Sequence, residues 1–178
     1  MNLFVLRHAS AGIRRKNPLV DVNRPLDKEG KRFCLQLAYV LNAMKIQFDL
    51  IVSSPLKRSL QTASLVGTEI GYESKILHSN ALAPEATLRD FQQLLGECRD
   101  YENLLVVGHN PNLTLFLSSV LVPPSATVVP QIRLRKGSLA RVSFMRGPGT
   151  LTWLVDPRIV RALYATSTKS SRRKTSRK

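Results

Sequence analysis

Asn2-Leu-Phe-Val-Leu-Arg-His-Ala9 is the stretch that decides the fold. The run from Leu3 to Leu6 is apolar, unbroken and short, which is how a buried strand reads. It ends in Arg7 and His8, so a strand end carries the first reactive side chains. The arrangement recurs twice. Asp49-Leu-Ile-Val-Ser53 runs into Ser54-Pro55, and Asn103-Leu-Leu-Val-Val107 runs into Gly108-His109-Asn110.

Helical segments lie between these runs. Asp27 is placed to cap a helix from Lys28 to Lys45, with Leu35, Ala38 and Leu41, joined by Leu37 and Met44, on its apolar face. Ser54 as cap and Pro55 at the first helical position start a second helix that ends near Ile70. Two more span Thr87 to about Arg99 and Pro111 to about Leu121. The polar stretch from Ala9 to Pro25 and the proline-rich Pro123 to Pro130 read as loops, and Lys75 to Leu77 as a short strand. Ser138 to Met145 and Thr150 to Val155 alternate around Gly147-Pro148-Gly149, the signature of a hairpin. Strands alternating with helices give an α/β protein: three layers, α/β/α, with a mostly parallel central sheet and a C-terminal antiparallel hairpin. The domain is expected over residues 1–165. Residues 166–178 have little to bury and form a basic tail expected to be disordered.

The chain has 178 residues, enough for one domain with a real core. Lys and Arg number 27 against 12 Asp and Glu, a net charge of +15, and +9 remains without the six charges of residues 169–178. Such a balance favours anionic partners without choosing among phosphorylated substrates, nucleic acid and acidic membrane. Cys34 and Cys98 make no C-x-x-C pattern or disulfide framework and are expected as buried thiols. The first apolar run is too short for a secretion signal, and polar residues break the stretch from Leu104 to Val122. A cytoplasmic location is the default expectation.

In an open parallel sheet, ligands bind beyond the carboxyl ends of the strands. If the three strands are parallel, Arg7, His8, Arg58 and His109 meet in one crevice. Taken singly, each histidine is more often a structural residue and Arg58 a surface one; their coincidence at corresponding strand ends raises the weight of function. Guanidinium groups match phosphate oxygens in pairs and stay charged, a neutral imidazole attacks phosphorus, and a protonated one steadies the transition state. This arrangement requires no metal or other cofactor, and His78 stands alone.

Four patches resemble the histidine phosphatase superfamily, also called phosphoglycerate mutase-like. Leu6-Arg7-His8-Ala9 is similar to its Arg-His-Gly signature. Ser53-Ser-Pro-Leu-Lys-Arg58-Ser-Leu-Gln-Thr62-Ala63 resembles its Ser-Ser-Pro-x-x-Arg-x-x-Gln-Thr-Ala segment. Val107-Gly108-His109-Asn110-Pro111 resembles the second-histidine motif. Arg24-Pro25-Leu26-x-x-x-Gly30 resembles an element of the short SixA-type phosphohistidine phosphatases. The resemblance implies a phosphoglycerate mutase-like fold, with His8 as the phosphorylated residue and Arg7, Arg58 and His109 holding the phosphoryl group. Arg24 would support the site or touch phosphate, and Asn110 would either donate a hydrogen bond or cap the helix at Pro111. Ala9 departs from the family glycine: if the position needs a positive φ, alanine strains it. The family's acidic residue has two candidates, Glu85 and Asp90.

The expected function is removal of a phosphoryl group from a protein histidine through a phosphohistidine on His8. A phosphatase for small phosphate esters is the alternative within catalysis. A third reading is a nucleic-acid-binding or scaffolding protein that uses the basic surface and tail on a vestigial phosphatase fold. Expected partners are accordingly a phosphorylated protein or a small phosphorylated substrate, with nucleic acid or acidic membrane through the tail, and a monomer is the favoured state.

Overall fold

In the structure, a computed structural model that describes residues 1–175, the run from Leu3 to Leu6 is buried on both sides because its strand lies inside a sheet covered by helices. The described residues form six strands: β1 (Asn2–Arg7), β2 (Leu50–Ser53), β3 (Leu77–His78), β4 (Asn103–Gly108), β5 (Leu139–Ser143) and β6 (Thr150–Val155). They also form six α-helices: α1 (Pro18–Asp21), α2 (Lys28–Ala43), α3 (Lys57–Glu69), α4 (Leu88–Glu97), α5 (Asn112–Val120) and α6 (Pro157–Thr175).

The sheet order is β3-β2-β4-β1-β5-β6. β1, β2, β3 and β4 are parallel, and β5 and β6 form the antiparallel hairpin at the edge. The register sets Arg7 opposite Gly108 and Ser53 opposite Val107, so three strand ends lie level. Alternate side chains separate two cores, as the pleat requires. Phe4, Leu6, Ile51, Leu105 and Val107 pack with α2 and α3 on one face. Leu3, Val5, Val52, Leu104 and Val106 pack with α4 and α5 on the other. The expected three-layer architecture is the observed one.

Asp27 caps α2, accepting from the Gly30 N–H at 2.7 Å, while its second oxygen accepts from the Ser10 hydroxyl at 2.6 Å. Gly30 is dictated by that closeness: a Cβ there would lie 1.9 Å from the Ser10 carbonyl oxygen. Cys34 and Cys98 are buried free thiols, and burial pushes Cys34 up to about 12.

Several sequence expectations are corrected. Leu35 and Met44 are exposed, because the buried stripe of α2 follows Phe33, Cys34, Leu37, Ala38 and Leu41 at helical spacing. α3 starts at Lys57 rather than Pro55, and Ser54 does not serve as its cap residue. The short strand falls at Leu77–His78. The polar stretch before Pro25 contains α1, capped by Asn17, whose side chain accepts from the Leu19 N–H at 3.0 Å. α6 runs to Thr175, into the segment expected as a basic tail; residues 176–178 of that segment lie outside the described residues. Asp156 accepts from the Arg158 N–H, Val160 is buried, and Tyr164 meets Tyr39 of α2 edge-on, so α6 docks on α2. No helix among the described residues is long and apolar enough to cross a membrane.

Candidate functional site

His8 follows β1 directly and is buried. Its backbone N–H donates to the Gly108 carbonyl at 3.1 Å, which continues the sheet one residue past the strand. Its Nδ1 lies 2.8 Å from its neighbour's carbonyl, Ala9 O. A carbonyl only accepts, so Nδ1 carries the ring proton and Nε2 keeps the lone pair. Ala9 does not have a positive φ; its N–H donates to Thr62 Oγ1 at 3.1 Å. Alanine therefore stands there without the strain that a left-handed residue would bring.

His109 follows β4. Its ring centroid is 5.0 Å from that of His8, with the planes inclined at 53°. Its Nε2 lies 2.8 Å from Ser54 Oγ and 3.2 Å from Ser59 Oγ, and its Nδ1 is buried without a partner. Burial lowers His8 to about 3, against the pull of the Ala9 hydrogen bond and with the help of Arg58, Arg7 and Lys136. Burial also lowers His109 to about 2, reinforced by His8 and the neighbouring arginines. Both rings are neutral at ordinary pH.

The two site arginines are aimed by backbone carbonyls. Arg7 Nη1 donates to Leu134 O at 2.8 Å. Arg58, in the first turn of α3, donates from Nη1 to Asp21 O at 3.1 Å, and that nitrogen stands 3.4 Å from the Asp21 carboxylate. Burial lowers the pKa of each guanidinium, though an arginine stays charged at any ordinary pH. Among the described residues, five buried side-chain polar atoms lack a partner, and four are here: Arg7 Nε, Arg58 Nε, His109 Nδ1 and Asn110 Oδ1. The Arg7 and Arg58 Nε–H groups are donors; an unpaired buried donor typically costs about 1–3 kcal/mol, and a site built to receive an anion keeps such donors open for it.

Arg24 is brought close but its guanidinium is already committed. It donates to Asp21 Oδ1 at 2.7 Å, to Asp21 Oδ2 at 3.2 Å and to Gly12 O at 2.9 Å. Of the two roles open to it, the geometry fits support. Asn110 donates to Leu134 O at 3.0 Å and makes no cap for α5, which begins at Asn112. Asp90 belongs to a capping box with Thr87, so it is a structural residue of α4. Glu85 lines the same crevice as His8, Arg58 and His109, but on its exposed rim. The loop beneath it is fastened by Asn112 Nδ2, which lies within 2.8 Å of Pro84 O and Ala86 O.

Sequence reasoning missed Asp21, the two serines behind His109, Asn112 and the Leu134 carbonyl. Asn17-Pro18, a cap followed by proline at the first helical position, was the available signal for α1 and thus for Asp21. A backbone carbonyl such as that of Leu134 has no signal in residue types at all.

A sequence profile of the histidine phosphatase superfamily (branch 1) matches residues 3–83. An uncharacterized protein of Picosynechococcus sp. is 33% identical over 116 residues, which is 64% of this chain and 68% of that protein. Among solved structures, the protein histidine phosphatase SixA complexed with tungstate superposes with a TM-score of 0.77 at 23% identity, covering 90% of this chain and 99% of that one. The alpha-ribazole phosphatase from Shigella flexneri gives 0.69 at 17% identity, covering 88% and 97%. At these identities the two structures speak for the fold.

Proposed function

Because the chain belongs to the histidine phosphatase superfamily, we propose that it removes phosphoryl groups through His8 and that its substrate is a phosphorylated protein histidine. One observation carries the chemistry: the Ala9 carbonyl holds the proton on His8 Nδ1 and leaves Nε2 as a nucleophile, beside His109 and two arginines with unpaired donors.

Nε2 attacks phosphorus, the bond from phosphorus to the leaving nitrogen breaks, and that nitrogen takes the bond pair; with the proton already on its other ring nitrogen, the substrate histidine departs as neutral imidazole. Water then takes the phosphoryl group from His8 and yields inorganic phosphate. Arg7 and Arg58 neutralise the equatorial oxygens. A dianion arriving beside His109 opposes the effects that keep that ring neutral, so the loaded site favours the imidazolium.

The choice of leaving group rests on the carboxylates. An alkoxide benefits from a positioned acid, whereas imidazole leaves with far less assistance. Asp21 and Asp27, which line the crevice, are held ionised. The Arg24 hydrogen bonds drive Asp21 below the usual carboxylate range, and the Ser10 and Gly30 hydrogen bonds outweigh the burial of Asp27. Glu85 is the crevice carboxylate without a hydrogen bond among the described residues, and it is exposed. A site without a buried donor acid suits P–N cleavage. Small phosphate esters remain the second reading, supported by the likeness to an alpha-ribazole phosphatase.

The test is a comparison of a phosphohistidine-bearing protein with an alkyl phosphate. Wild type should turn over the phosphohistidine with the higher kcat/KM and show acid-labile phosphate on His8, and His8→Ala should abolish both reactions. Full activity in His8→Ala would end the proposal.

A further inference from the structure

The crevice is much larger than a phosphoryl group. Its volume is about 1200 Å³, and Ile13, Arg14, Arg15, Lys16, Pro18, Asp21 and Val22 form one wall, with Leu19 and Val20 just outside it in the same segment. Residues 13–20 are all exposed, and α1 buries none of its four residues. Four large aliphatic side chains stand in this short stretch: Ile13 is 85% exposed, Leu19 81%, Val20 52% and Val22 41%. Scattered apolar residues on a surface mean little, but a cluster of this kind at the edge of a site marks a contact surface.

The segment is not loose. Asp21 accepts from the Arg15 N–H at 2.9 Å, Asn17 caps α1, and the Lys57 N–H donates to Val22 O at 3.1 Å. It is thus a shaped wall, fastened to the same Asp21 that holds Arg58. Its one acid, Asp21, is committed to Arg24 and Arg58, which leaves its cations unopposed. Arg14, Arg15 and Lys16 line the crevice, and Lys136 lines it too.

We infer that the segment Ile13–Val22 is the docking surface for a protein substrate, a partner whose face around the phosphorylated histidine is apolar at its centre and acidic at its margin. This rests on the phosphohistidine reading above and adds where the protein is recognised. Charge complementarity selects the partner: four cations beside an apolar cluster repel basic surfaces and attract acidic ones. A small ester would fill a fraction of the crevice and leave Ile13 on its wall, and Leu19 beyond it, in water, whereas pockets for small molecules enclose most of their ligand.

The experiment compares two substrates on the full chain: an acidic phosphotransfer domain phosphorylated on its histidine, and an aryl phosphate. The variants are the pair Ile13→Ser with Leu19→Ser, and separately Lys16→Glu. These side chains are exposed and hold nothing else in place. Burying either aliphatic residue contributes enough that its loss raises KM for the phosphoprotein roughly tenfold or more. Turnover of the aryl phosphate should stay within about twofold, since the reacting groups are untouched. If wild type acts on both substrates and the variants lower both equally, or neither, the docking surface is refuted and the phosphohistidine reading stands. If wild type cleaves the aryl phosphate and leaves the phosphoprotein intact, the phosphohistidine reading is refuted, and the docking surface with it.

Discussion

Arg58 is held from across the crevice by Asp21. Its Nη1 donates to the Asp21 carbonyl at 3.1 Å and stands 3.4 Å from the carboxylate, which also pairs with Arg24 at 2.7 Å. One acidic residue therefore sets the position of a crevice arginine 37 positions away in sequence. Asp21→Asn keeps the carbonyl but removes the charge. The expected result is a fall in kcat of roughly tenfold to a hundredfold with KM changed less, because a misplaced clamp costs most in the transition state. The carboxyl group is depressed below its ordinary 3.8, so its stabilisation is present above that pH and fades as acid protonates it. Melting curves of wild type and Asp21→Asn should accordingly converge as pH drops below 3.8. Unchanged kcat would assign Asp21 to the fold alone.

The buried imidazoles predict a second pH dependence of the same direction but a different range. His8 and His109 are lowered from 6.5 to about 3 and about 2. Below pH 6.5 the unfolded chain takes up protons that the folded chain refuses, so stability falls with acid, and above it neither residue contributes. Each contributes a slope of at most about 1.4 kcal/mol per pH unit in that interval. Urea unfolding between pH 4.5 and 7.5 should give a flatter profile for the double variant His8→Gln, His109→Gln than for wild type. Parallel profiles would mean that the rings titrate normally.

Much of the machinery was legible in the sequence, because strand ends are where chemistry and periodicity coincide. The apolar runs ending at Arg7 and Ser53 and before His109 are short, continuous and interrupted by nothing else. The Asp27 cap was legible because an aspartate stands directly before the helical run that starts at Lys28. Illegible parts fail for three physical reasons. α1 buries nothing, so it has no apolar period to detect. The face of α2 was misplaced toward Leu35 and Met44 because hydrophobic side chains also occur on exposed faces. The role of Ser54 depends on a histidine 55 residues away, where local spacing suggested only a cap.

Glu85 separates the two leaving-group chemistries. On the expectation that it serves only as donor to an alkoxide, Glu85→Gln lowers hydrolysis of an alkyl phosphate by about a hundredfold, the usual worth of a general acid. Hydrolysis of phosphohistidine should change by less than about threefold, since imidazole leaves without it. Steady-state kinetics on both substrates decide the matter. An equal loss on both would make Glu85 part of phosphoryl binding.

The carbonyl of Leu134 receives Arg7 at 2.8 Å and Asn110 at 3.0 Å, joining the first arginine of the crevice to a residue 127 positions later. Order of synthesis gives this bond a meaning in time. A nascent chain that has emerged as far as α5 already contains His8, Arg58 and His109, but not Leu134. Its Arg7 still has no acceptor to aim it. The crevice is complete only when the segment leading into β5 arrives, so the proposed activity would be among the last properties the growing polypeptide acquires.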